Sequence, residues 1–333
     1  MTDSISNSDT ALLSVVIPVF NAEKYLGSCL EGLLKIPGIE NAEIILIDDG
    51  SSDSSAEIAE RYIKSHKNIT LIRKSNGGPS EARNAGLKKA SGKYVFFCDA
   101  DDEVDPGLFS KVIRDIGNSG EDVILWDAEI FDDEGTIFPK KREDYFIHLG
   151  LNADDGIISG QQAINKQLDA CMSFPATVWL GLHRREFLLD NDLYFANGIL
   201  HEDELWVIQV LLLARSVRYI PEKIYRYRIH KGSITNPEKT DWTRNIESLL
   251  YVYPVLYGLC DEKIEDQALC KKLKATLTRR YLHMIFEYDF CKYGFAGQID
   301  TGLLWKTSGR LIDKCRVLLL SVKVFFYKVF KRG

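Results

Sequence analysis

Between Leu13 and Cys98 the chain alternates short apolar runs with longer amphipathic ones. The short runs are Ser14 to Val19, Glu43 to Ile47, Ile69 to Ile72 and Tyr94 to Cys98; they are rich in Val and Ile and largely apolar throughout, not only at every second position. That pattern predicts strands buried on both faces and therefore a mostly parallel sheet. The intervening segments, Glu23 to Leu34, Ser54 to Ser65 and Ser80 to Ala90, read as helices, and Pro79 stands where a helix tolerates proline, in its first turn. Repeated βα units of this kind gather their ligands at the carboxyl ends of the strands.

Beyond Pro106 the pattern predicts a helix and a further strand, Asp122 to Ile130, then a polar excursion of loops from Asp132 to Asp155. From Gly160 onward helical patterns dominate, interrupted by a short strand pair at Val217 to Tyr219 and Ile224 to Arg228. The expected organisation is a disordered tail over residues 1–12, an α/β domain over 13–235 with its halves meeting at 105/106, a helical region over 236–302 and a distinct tail over 303–333. That last segment carries eight Lys or Arg against one acid, Asp313, so its net +7 leaves −13 for the rest of the chain. On a helical wheel Leu318, Val322, Phe325, Phe326, Val329 and Phe330 share one face, with Arg316, Lys323, Lys328 and Lys331 opposite. A basic amphipathic helix of this composition suits an anionic membrane surface.

At 333 residues the chain can bury a substantial core. Its net charge of −6 argues against general nucleic-acid binding, which requires a basic face to neutralise phosphates. Seven cysteines without a CxxC pair suggest neither a disulfide framework nor a zinc site, and a reducing cytoplasm fits them. The opening MTDSISNSDTAL lacks the form of a signal peptide, and no run of about 18 apolar residues is present. A soluble or peripheral protein at the inner face of the cytoplasmic membrane is expected; oligomeric state is not encoded legibly.

The chemistry concentrates at the predicted strand ends: Pro18-Val19-Phe20-Asn21, Asp48-Asp49-Gly50-Ser51 and Asp99-Ala100-Asp101-Asp102. Carboxylates one residue apart at the end of a buried strand repel each other unless a cation lies beside them, and a hard divalent ion, Mn2+ or Mg2+, is the natural occupant. The competing reading of DxD is a solvated acidic turn. Ser51 to Asp53 read as a helix cap, whereas Asp49 is expected to face the crevice and accept from a nucleobase N–H or a ribose hydroxyl.

In order and spacing, SVVIPVFNAEKYL, EIILIDDGSSDSS, NGGPSEARNAGL, GKYVFFCDADDEVDPG and HEDELW resemble the consecutive motifs of the family-2 glycosyltransferases, over roughly residues 13 to 235. The resemblance implies a GT-A, Rossmann-like fold and a metal-dependent, inverting transfer of one sugar from a nucleoside-diphosphate donor, with UDP the family's usual choice. The acceptor would be a glycan or lipid-linked hydroxyl in surface polysaccharide synthesis. It further implies that Pro18 and Asp49 contact the base, Arg83 the base or diphosphate, Asp99 the ribose and Asp101 the metal, with Asp99 beside it. Phe20 and Asn21 join them at the donor site, and Asp203 matches the catalytic base. Arg228, His230 and Ser233, in YRYRIHKGSIT, fall where the family places residues that close over the diphosphate; a solvated strand edge is the other reading.

A general base near the acceptor hydroxyl suits inversion, which needs no covalent intermediate. Taken alone, Glu202-Asp203-Glu204 is also what the acidic first turn of a helix looks like. Glu202, Trp179 and Trp206 are candidates for the acceptor side, although buried tryptophan is the commoner arrangement. VWLGLHRREFL departs from many relatives, which carry Lys at the place of Gly181 and an aromatic at that of His183, so acceptor identity stays open. A non-catalytic binding module of the same fold would show degraded carboxylates, and Asp49, Asp99, Asp101 and Asp203 are all retained. A nucleotidyltransferase would need a glycine-rich loop after strand one, where PVFNAEKY supplies none.

Overall fold

The computed structural model describes residues 11–132, 146–230 and 241–330. Its first half is a run of βα units: β1 (Leu13–Val19), α1 (Leu26–Leu34), β2 (Glu43–Asp48), α2 (Ser55–Ser65), β3 (Ile69–Arg73), α3 (Pro79–Lys89) and β4 (Tyr94–Phe97). β5 (Glu103–Val104), α4 (Pro106–Asp115), β6 (Val123–Phe131), β7 (Ile157–Ile158), α5 (Gly160–Cys171), β8 (Gly181–Arg184), α6 (Arg185–Asp190), α7 (Glu202–Leu213) and β9 (Val217–Arg228) follow. The chain then turns helical, with α8 (Thr243–Lys263), α9 (Gln267–Glu287), α10 (Thr301–Thr307) and α11 (Leu311–Phe330).

Among the described residues the strands form one sheet in the order β3-β2-β1-β4-β8-β6-β9-β5, with β7 also paired to β9. β1 pairs in parallel with both β2 and β4, and β2 with β3, as the unbroken apolar runs predict. Val15, Val16, Ile17, Ile44 to Ile47 and Val95 to Phe97 are all buried, because helices cover both faces. The other half is mixed. β8 runs antiparallel to both β4 and β6, and β6 pairs in parallel with β9.

Two expectations need correction here. The strand pair at 217–228 is one strand, β9, whose register against β6 shifts between Ile220 and Lys223, where Pro221 lies. Proline has no N–H for the ladder, so it sits at a bulge that reads, in sequence, like a turn. The segment containing Gly181 and His183 is β8, an interior strand. A Cβ on Gly181 would lie 2.5 Å from the carbonyl oxygen of Ile124, so no larger residue has room at this register.

Residues 1–10 and 133–145, most of the expected loop excursion, lie outside the described residues, as does the 235/236 boundary. Ala11 and Leu12 already accept hydrogen bonds from Lys93 and Tyr94, so chain order begins ahead of residue 13. The helical region docks on α7 through Glu204. The Tyr253 hydroxyl of α8 and the Arg280 guanidinium of α9 donate to its two oxygens at 3.1 and 2.9 Å. In α11 the side opposite the expected apolar face is not a basic surface. Val317, Leu320 and Val324 are buried there against the preceding helices, as is Asp313.

Candidate active site

Loops after β1 and β2 are laced together. Asn21, left-handed at φ 49°, accepts from the Ser52 N–H through Oδ1 at 2.8 Å, and its own N–H donates to Ser51 Oγ at 3.1 Å. Ser55 Oγ accepts from Ala22 N–H, and Asp53 from Glu23 N–H. Ser51 and Ser52 therefore fasten this corner and do not cap α2. Pro18 is half-buried at the edge of the corner, and Phe20 is exposed.

Asp49 is buried, and both its oxygens are engaged by the loop that enters α3. They accept from the N–H groups of Gly77 and Gly78 and from Lys74 Nζ, the last at 2.6 Å. Gly50, at φ 76°, permits this turn; a Cβ there would stand 2.9 Å from Asn76 N. Asp49 thus holds this loop from beneath and has little acceptor capacity left for a ligand.

The acidic loop after β4 is held from β9. Arg228 is buried under it, donating from Nε to the Asp101 carbonyl at 2.7 Å, from Nη2 to Glu103 at 2.6 Å and from its backbone N–H to Asp102 Oδ1 at 2.7 Å. The Tyr225 hydroxyl donates to Asp102 Oδ2 at 2.6 Å and accepts from the Asp99 N–H at 3.2 Å. Burial, with Asp101 and Asp99 nearby, holds the Asp102 carboxyl well above the usual carboxylate range. Arg228 is thus a support for the DxD loop, and Tyr225 and Asp102 are supports that sequence reasoning missed. Tyr225→Phe should cost about 1–3 kcal/mol in urea unfolding, because it strands a buried carboxyl oxygen and a backbone donor together.

α3 and α7 meet at Arg83. Its guanidinium is buried and donates from Nη1 to Glu202 at 2.9 Å and Asp203 at 3.1 Å, and from Nη2 to Asp99 at 3.0 Å. One cation therefore joins the acidic end of β4 to the first turn of α7, across more than a hundred residues of sequence. α7 begins from His201 in the left-handed conformation at φ 62°, an uncommon backbone state that recurs at functional sites. Asp203 keeps 29% of its side chain exposed and Asp99 30%, so both still reach solvent. Burial and the negative charges of Glu202 and Asp99 push the Asp203 carboxyl well above its ordinary range, against the pull of Arg83. Burial raises Asp99 similarly.

Asp101 meets His230, with Nε2 and Oδ2 2.9 Å apart. Among the described residues no group of three or more His, Cys, Asp or Glu side chains assembles as a metal cage. A single carboxylate does fit a Mn2+ or Mg2+ site of the kind completed by substrate phosphates and water, which needs only one or two protein carboxylates. Asp101 is the carboxylate available for it, with Asp99 near and already held by Arg83. Ser233 lies outside the described residues.

Both tryptophans proposed for the acceptor side belong to the scaffold. Trp206 is 1% exposed, stacks on Phe195 with centroids 4.5 Å apart and donates from Nε1 to the Leu193 carbonyl. Trp179 is buried and stacks on Tyr225 at 4.3 Å. The sequence therefore places neither ring where a sugar can reach it, and Glu202, also buried, turns toward Arg83.

Residues 14–172 match the family model described as Glycosyl transferase family 2. The Bacillus subtilis glycosyltransferase EpsH is 31% identical over 317 residues, covering 92% of this chain and 82% of that protein. The Escherichia coli glycosyltransferase YibD is 31% identical over 229 residues, 68% of this chain and just under two thirds, 64%, of its own length. The crystal structure of residues 1–349 of S. aureus TarS superposes with a TM-score of 0.71 at 20% identity, covering 95% of this chain and 89% of that one. The same TarS fragment in complex with UDP-GlcNAc superposes at 0.68.

Proposed function

Because this chain belongs to glycosyl transferase family 2, we propose that it transfers a single sugar, with inversion, from a UDP-sugar to a hydroxyl of a membrane-linked glycan at the inner face of the cytoplasmic membrane. The observation that carries the reading is the Arg83 junction, which brings Asp99 from the donor-side strand end within one guanidinium of Asp203. Uridine is favoured by the similarity to TarS, whose fragment is solved with UDP-GlcNAc.

In this reading Asp203 takes the proton of the acceptor hydroxyl as that oxygen attacks the anomeric carbon, and the bond to the diphosphate breaks on the opposite face. A raised carboxyl is well matched to this work, since a base closer to neutrality drives proton transfer further. Asp99 lies on the donor side, and the corner at Pro18, Phe20 and Asn21 receives the base beside the loop that Asp49 holds. Arg83 acts by holding Asp99 and Asp203 at a fixed separation. Asp101 would hold a divalent cation, which when bound would neutralise charge on the leaving diphosphate. Arg228 fixes the loop that would present Asp101.

The test is a panel of sugar nucleotides with Mn2+, scored by thermal stabilisation and donor hydrolysis. A single UDP-sugar should stabilise the protein, EDTA should stop turnover, and Mn2+ or Mg2+ should restore it. Turnover that resists the chelator would count against Asp101 as a metal ligand. No response to any UDP-sugar would remove the donor assignment.

A further inference from the structure

α11 is apolar on two opposite sides. Its inner side, Val317, Leu320 and Val324, is part of the core. Its outer side leaves Leu311, Leu318, Leu319, Val322, Phe325 and Phe326 between 52% and 80% exposed, a row of large side chains that water penalises. At about 100° per residue these fall in one arc facing away from the buried set. Contiguous exposed apolar surface of this kind on an otherwise ordinary surface marks a site of contact.

Charge decides what the contact is. Arg316 and Lys323 fall along one flank of the outer arc, and Lys314 along the other. The Lys314 ammonium lies 5.3 Å from the Trp305 ring, and that of Lys323 5.6 Å from the Phe286 ring. The one acid of the helix, Asp313, is buried on the inner side, so no carboxylate of α11 lies among those cations. A second copy docking face to face would bring basic flank against basic flank. An anionic bilayer accepts the apolar row and attracts both flanks. No helix among the described residues is long and apolar enough to cross a membrane, which leaves binding in the plane of the interface.

We propose that the outer face of α11 is a docking facet for the surface of an anionic bilayer, locked rigidly to the active-site cleft. The locking is visible in the packing. α11 packs on α10, on the turn at Ala296–Gln298 and on α9, and α9 reaches the base-bearing helix through Arg280 and Glu204, one residue beyond Asp203. The facet is therefore no loose tether; it sets the angle at which the cleft meets the membrane. The inference deepens the reading of a membrane-linked acceptor and rests on it for its purpose, though not for its physics.

The test is flotation of the full-length protein with vesicles of phosphatidylcholine alone and of equal parts phosphatidylcholine and phosphatidylglycerol, with UDP binding measured alongside by calorimetry. The protein should float with the anionic vesicles only. Neutralising Lys314 or Lys323 with glutamine should weaken that binding about fivefold each. The double variant Leu318→Asp, Phe325→Asp should lose flotation while keeping its melting temperature and UDP affinity, because both positions are exposed. Equal binding to zwitterionic vesicles, or lysine variants that bind as tightly as the parent, would overturn the proposal. So would a dimer in solution that the double variant splits, since the face would then cover a second copy. Vesicle binding by a protein that binds no UDP would defeat the donor assignment and leave this facet standing.

Discussion

Asp203→Asn is expected to lower turnover by roughly 10²- to 10⁴-fold, the range a positioned general base contributes. Asparagine is nearly isosteric and keeps an oxygen that accepts from Arg83 Nη1, while Glu202 and Asp99 continue to engage the guanidinium. The fold and the donor corner should therefore survive, and UDP-sugar binding by calorimetry should remain measurable. Loss of binding and turnover together would make Asp203 a structural residue. The pH dependence follows from the same environment. Burial, Glu202 and Asp99 raise the Asp203 carboxyl and Arg83 opposes them, so the active, ionised base should disappear as pH falls through a value above the ordinary carboxylate range. An acid limb at the usual position of an exposed aspartate would contradict the assignment.

Arg83→Met carries the second large effect, this time on stability. Removing one partner from a buried ion pair typically costs about 3–5 kcal/mol, because the charge left behind has lost both water and its counterion. Here three carboxylates, Asp99, Glu202 and Asp203, lose the same cation. The sign with pH can be stated. A carboxyl raised in the folded state binds its proton more tightly there than in the unfolded chain, so stability falls as pH rises from the unfolded value to the folded one. Without Arg83 the Asp99 and Asp203 carboxyls rise further, and urea midpoints of the variant should recover as pH is lowered, where the parent changes less. Arg83→Lys should rescue only in part, since an ammonium lacks the planar fork that serves both sides of the junction.

Much of this was legible in the chain itself, and the reasons are local. β1 to β4 announce themselves because burial on both faces demands uninterrupted apolar runs, and the strand ends carry the acidic motifs directly after them. β8 was missed because four residues containing a glycine and an arginine carry no strand periodicity; the sheet on either side imposes the conformation. β9 was split in two because Pro221 mimics a turn. At the site, residue types and order were readable, but partners were not. Arg83, Asp49 and Arg228 are cationic or acidic residues near predicted ligand positions, which suggests ligand contact. The fold instead turns them inward, to Asp203, to Gly77 and Gly78, and to the Asp101 carbonyl. Such pairings span long stretches of chain and leave no mark in local spacing. Trp179 and Trp206 mislead similarly, since an aromatic suited to a sugar face is equally suited to a core.

The antiparallel strand β8, wedged between β4 and β6, has an implication for engineering. Most of the residues proposed for the donor lie ahead of β4 or directly after it, yet the neighbour that completes β4 comes from about ninety positions later in the chain. A graft that exchanged only the first hundred residues between relatives would leave β4 without a matching edge, an invitation to aggregate. Chimeras designed to swap donor preference must carry Gly181–Arg184 with them, as an inseparable staple between the recipient and the transplanted half.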